Sequence, residues 1–223
     1  MTKSKVRLFD VLWGVIILAC LILLVVPSTR GQYLEITKAH KYLVGFFNFA
    51  LLATMGDLLA GRIATGKWTF NVPTIFKLLI WGFIGMAITL FFGIMSNGVA
   101  AVQKANLLPF AGSDFAHALL TSALTNLSFG PAMFIFHKFT DTYIDAKYNK
   151  KPSDVTSIIE RIDWKTFFKF TVFTTIPIFW IPCHTIDFLL PDDIRVLVAA
   201  FLSIALGLLL SIKKKAESKE KVQ

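Results

Sequence analysis

Four side chains in this sequence sit where they are costly to place. Asp57, Asn126, His184 and Asp187 each lie inside a long apolar run. A carboxylate near the middle of a membrane span costs roughly 2.5–3.5 kcal/mol on insertion scales, so such a group faces water, a partner or a polar cavity. His184 and Asp187 stand three residues apart and share a face of a helix. Such a pair can relay protons or hold a cation; it can equally be a satisfied pair beside a proline kink. Asn126 is a single amide on a small-residue face, suited to helix-to-helix hydrogen bonding or to a polar wall. If the four converge, they line a polar cavity. Charge at Asp57 or Asp187 then favours cations, and His184 adds sensitivity between about pH 5 and 8. No zinc-protease, serine-hydrolase or phosphate-loop motif accompanies them. Cys20 and Cys183 lie in apolar runs without metal-ligand spacing, so no cofactor, metal or disulfide is expected.

The elements that must position these groups follow from composition. Of 223 residues, 55% are hydrophobic, 17% are charged and 22 are Phe; the mean hydropathy is +0.65. A soluble domain of this size has too little interior for that much apolar surface. Six stretches approach the ~20 residues needed to cross a bilayer: Leu8–Val26, Tyr42–Ala60, Leu78–Val102, Phe115–Phe136, Phe167–Leu190 and Ile194–Ile212. The expected fold is an all-α, polytopic transmembrane helix bundle of about six spans. Lys169 and Arg195, at the ends of their spans, count with the adjacent loops. One side of the membrane then carries 18 of the 23 Lys/Arg and the other carries 5. Basic loops face the cytoplasm, which places both termini there. The fifth stretch holds Pro177 and Pro182 and is expected to kink; it either crosses fully or re-enters.

Residues 1–215 read as one integral-membrane domain, with 1–41 an extra span and loop and 216–223 a flexible basic tail. The first span reads as a retained helix; a cleaved signal segment and a lipidated Cys20 are the alternatives. The longest loop, His137 to Thr166, is basic. Within it Val155, Ile158, Ile159 and Ile162 keep helical spacing after Pro152-Ser153. That predicts a short amphipathic helix on the membrane surface or against the bundle. The loop and tail suit anionic lipid rather than nucleic acid. His117 and His137, near span ends, read as interfacial.

Small residues recur every four positions, letting helices approach closely where lipid gives no hydrophobic drive. The stripes are Gly45, Ala53, Asp57 and Gly61; Gly85, Thr89, Gly93 and Asn97; Ala118, Ser122, Asn126 and Gly130; and Ala199, Ser203, Gly207 and Ser211. Gly85, Gly93, Gly130, Ser203 and Gly207 are the expected packing positions, with Phe, Leu and Ile facing lipid.

Several marks occur in order. They are Gly56-Asp57, Gly82-Phe83-Ile84-Gly85, then Asn126 with Phe129 and Pro131. Trp164-Lys165 follows, then Trp180, Pro182, His184, Asp187, Phe188, Pro191 and Arg195. In this order they resemble the Mpv-type mitochondrial inner-membrane and small peroxisomal membrane protein family, over about residues 42 to 215. The resemblance implies a small multispan helical protein of an organelle membrane or, for a bacterial-type member, the cytoplasmic membrane. It also implies weakly selective pore activity. His184 and Asp187 stand where that family usually carries amides, so the ionisable pair is this chain's own. The expected function is a channel- or pore-like permeation protein for ions or small metabolites. Self-association is open. The alternatives are a non-transporting interaction or stability factor and an intramembrane enzyme using His184 and Asp187.

Overall fold

The computed structural model describes residues 8–220, with side chains through Leu209. Among them the chain is mostly helical, without a strand. The helices are α1 (Leu8–Val25), α2 (Pro27–Ala39), α3 (Lys41–Thr65), α4 (Val72–Lys104) and α5 (Asp114–Tyr148). They are followed by α6 (Val155–Arg161), α7 (Trp164–Phe188) and α8 (Asp192–Glu220). Five of these, α1, α3, α4, α5 and α7, are long and apolar enough to cross a membrane. The sixth predicted stretch lies in α8. Its last residues, and the tail expected over 216–223, lie outside the residues whose side chains are described.

Local chemistry sets the helix ends. Asn71 and Thr74 form a capping box at α4, each side chain accepting from the other's backbone N–H at 3.2 Å. The Ser113 hydroxyl accepts from Ala116 N–H to start α5. Gly66, at φ 74°, closes α3 in the left-handed conformation. The last turn of α7 is closed by Arg195 of α8, whose guanidinium donates to the carbonyls of Leu190 and Phe188, both at 2.8 Å. Orphan carbonyls at a helix C-terminus need such donors.

Around the centre, α3 packs on α4, α4 on α5, α5 on α7, α7 on α8, and α8 back on α3. The five helices close a ring. α1 and α2 lie outside it. α1 is tied at one end, where Asp10 accepts from Arg62 (3.0 Å) and Trp68 (2.7 Å). It is tied again at Trp13, which donates to the Met55 carbonyl.

Small residues make the tightest contacts of the ring. A side chain on Gly85 would run into the Gly45 backbone and the Phe49 Cβ. Gly56 and Gly207 pair α3 with α8; a Cβ on Gly207 would come 3.2 Å from the Gly56 carbonyl oxygen. Gly130 meets Ile176 at ordinary contact distance, and Ser203 lies partly buried beside Gly56. Gly93 is a correction. It is exposed, and a Cβ there would meet nothing within 4 Å. The α4 stripe turns away from its partners in the last third of the helix and opens a cleft instead.

Three other expectations change. Residues Phe167–Trp180 of α7 are π-helical, so the segment passes Pro177 as one continuous 25-residue helix. The disturbance expected at the proline takes the form of this wider winding. α5 runs past its predicted end at Phe136 to Tyr148, absorbing part of the basic loop. α6 forms as expected, but its cap is Asp154 rather than Pro152-Ser153. Ile158 and Ile162 are buried against Ala146, Phe139 and Trp164, while Val155 and Ile159 stay exposed. The helix is therefore docked on the end of the bundle.

Candidate functional site

A small chamber of about 40 Å³ lies between the ring helices. Every ring helix contributes to its wall: Phe49 from α3, Trp81 and Phe92 from α4, Asn126 from α5, Trp180 and His184 from α7, Ala199 and Ser203 from α8. The small faces of α5 and α8 explain why space remains here. No Asp, Glu, Lys or Arg lines the chamber.

Asn126 and His184 come together as expected. The Asn126 amide donates to the Ser122 carbonyl (2.9 Å) and lies 3.0 Å from His184 Nδ1. Ser122 in turn donates to the Ile181 carbonyl at 2.8 Å, fastening α5 to α7. The opposite ring nitrogen, His184 Nε2, is buried without a hydrogen-bond partner among the described residues. So are Trp180 Nε1 and Thr125 Oγ1, both on side chains of the same wall. The ring of His184 also packs edge-on to Phe92 (5.3 Å) and tilted on Trp180 (5.0 Å).

The other two candidates lie elsewhere. Asp187 is fully buried one turn beyond His184, off the chamber wall, and neither carboxylate oxygen has a hydrogen-bond partner among the described residues. Asp57 is exposed in a separate cleft of about 210 Å³ at the α3–α4 turn, with Asn71, Thr74, Lys77 and Asp145. There it accepts from Trp81 Nε1 at 2.8 Å. Lys77 bonds Asp145 (2.9 Å) and lies 3.7 Å from Asp141. The four candidates thus do not form one cavity.

A third space of about 400 Å³ opens at the opposite end of α3 and α4. Its walls include Tyr33, Lys41, Gly93, Asn97 and Arg195. Lys77 and Asn97 mark the two ends on α4, 20 residues apart; at 1.5 Å per residue that is about 30 Å, the thickness of a hydrocarbon core. The chamber lies between. Trp81 lines it and donates into the turn-end cleft; Phe92 lines both it and the opposite cleft.

Trp81, Phe92 and His137 are the residues that sequence reasoning missed. Trp81 and Phe92 stand 11 positions apart on α4, three turns on one face. The His137 ring lies 4.0 Å from that of Trp81, centroid to centroid, and its Nε2 is buried without a hydrogen-bond partner among the described residues. A usable signal existed: an indole within a span needs an acceptor, and Asp57 was the nearest acidic one in sequence. No family model, curated protein or solved structure matches this chain.

Proposed function

We propose that this chain is an integral membrane protein that forms a narrow permeation path for small solutes. The path runs through the five-helix ring. The observation that carries the reading is the chamber shared by all five helices between two polar clefts at opposite ends of α3 and α4. Trp81 closes the chamber at the turn end and Phe92 at the other. Asp57 holds the Trp81 indole in place through its N–H, with the His137 ring behind it. In this reading Asp57 positions a gate rather than lining the central chamber.

The distribution of Lys and Arg supports a cytoplasmic side at the α3–α4 turn, with both termini there. The resemblance to Mpv-type and small peroxisomal membrane proteins agrees with pore-like activity. By that resemblance Gly56, Pro131, Trp180, Pro182, Pro191 and Arg195 are family positions. An organelle membrane or a bacterial cytoplasmic membrane is the corresponding location.

Reconstitution in liposomes tests the proposal. Wild-type protein is expected to raise solute permeability above that of empty vesicles. His184→Ala is expected to change it, because truncation enlarges the chamber and frees Asn126. Background permeability from folded wild-type protein would reject the reading and favour a non-transporting interaction factor.

A further inference from the structure

The wall of the central chamber defines which solute it takes; this inference rests on the permeation reading above. Buried polar groups without a partner are few in folded proteins, and each calls for an explanation. Three of them belong to side chains of this one chamber: Trp180 Nε1, His184 Nε2 and Thr125 Oγ1. Their residues are 6%, 9% and 2% exposed.

The chemistry of these groups limits what they offer. The Asn126 amide donates to the Ser122 carbonyl, and both its nitrogen (3.0 Å) and its oxygen (3.2 Å) lie within reach of His184 Nδ1. Nδ1 accepts from the amide nitrogen or donates to the amide oxygen, so Nε2 donates or accepts in turn. Indole Nε1 only donates, and the threonine hydroxyl does either. The wall therefore carries one fixed N–H donor and two groups that take either role. A small molecule that both donates and accepts, as a hydroxyl does, satisfies all three.

Charge and size narrow the class further. The wall carries no ionised side chain, and Phe49, Ile88, Phe92, Phe129, Met133 and Phe134 supply most of its surface. An ion would shed its water with no counter-charge in reach on the wall, a steep cost in an apolar site. A cavity needs roughly 10–15 Å³ of space reachable by a water-sized sphere to hold one water, so a chamber of about 40 Å³ holds a few water-sized groups at most. We infer that the chamber is a selectivity site for small uncharged oxygen-bearing molecules of up to about three heavy atoms. Water and hydrogen peroxide are the simplest members. The cation preference expected from Asp57 and Asp187 does not extend to this site, since neither lines it.

The test uses full-length protein in liposomes. Stopped-flow light scattering reads water, an enclosed peroxide-sensitive dye reads hydrogen peroxide, and ion-sensitive dyes read potassium and chloride. The expected result is raised water and peroxide permeability with both ions at the empty-vesicle rate. Thr125→Val keeps the chamber's shape and removes one polar group; Trp180→Phe removes the indole N–H and also takes bulk off the wall. Thr125→Val is expected to lower water and peroxide flux roughly fivefold, the worth of one hydrogen bond, with unchanged circular dichroism, and Trp180→Phe to change that flux in either direction. Potassium or chloride passing as fast as the neutral solutes would overturn the class. Neutral flux unaffected by both substitutions would overturn the assignment to this chamber. Absence of any flux from folded wild-type protein would instead remove the permeation reading, and this inference with it.

Discussion

At the scale of single residues, the contact between Asp57 and Trp81 ties two regions together. The carboxylate sits in the cleft at the α3–α4 turn, and the indole forms part of the chamber wall. A hydrogen bond to a charged group is worth roughly 1.5–3 kcal/mol, less where water competes, and Asp57 is exposed. Asp57→Ala is therefore expected to loosen Trp81. The measurable signs are greater quenching of tryptophan fluorescence by acrylamide and a few-fold rise in flux. Asp57→Asn keeps an oxygen acceptor and should stay near wild type in both. Equal effects of Ala and Asn would mean that charge, not the hydrogen bond, is what matters there. The sequence exposed Asp57 and His184 as unusual, because charge and imidazole in apolar runs are conspicuous. It did not reveal that they belong to different spaces. Asp57 lies near the end of α3 and His184 near the end of α7, and their separation depends on how the five helices close. Trp81 was invisible because an aromatic in a span reads as ordinary apolar surface.

At the scale of the elements, glycine position rather than glycine count decides packing. Gly85→Ala puts a methyl group against the Gly45 backbone and the Phe49 Cβ, neither a flexible chain end. Overpacking of this kind costs about 1–3 kcal/mol. Gly93→Ala meets open space and should shift stability by less than about 0.5 kcal/mol. Unfolding titrations in mixed detergent micelles measure the pair. The four-residue period made both glycines look equivalent, since one face of a long helix need not keep one partner along its whole length.

α6 gives an element-scale pH dependence. The Ser157 hydroxyl (2.6 Å) and backbone N–H (3.0 Å) both donate to Asp154, holding its carboxyl below the usual range. A depressed carboxyl stabilises its helix fully above the unfolded value of about 3.9, and that contribution fades as pH falls through the lower folded value. Amide exchange in residues 155–161 is expected to quicken under acid, and Asp154→Ala to show the faster exchange already at neutral pH. The sequence announced this helix through its apolar spacing; the cap lay one residue from the expected start, where any of three neighbouring polar or proline residues was plausible.

At the scale of the whole molecule, span order and charge bias make a definite map. Cysteines placed at Lys67 and Lys151 should react with an impermeant maleimide from the same side of the membrane, and one at Leu107 from the other. Leu107 is 77% exposed in the α4–α5 connection, which suits the assay. Labelling of all three from one face would contradict the arrangement. Hydropathy alone foretold the all-helical bundle, because a backbone in lipid must satisfy its own hydrogen bonds. The closure of α3, α4, α5, α7 and α8 into a ring was not legible, since it rests on contacts between distant segments such as Gly56 with Gly207 and Ser122 with Ile181.

In the proposed function solutes cross through the chamber inside this ring. Ser203→Leu tests it most directly. Ser203 lines the chamber, and its hydroxyl makes only a long 3.5 Å bond to the Ala199 carbonyl, so the added bulk goes where the path should be. Water and peroxide permeability of vesicles carrying this variant is expected to fall to the level of empty liposomes while the protein stays folded. Permeability equal to wild type would place the path elsewhere and contradict the account.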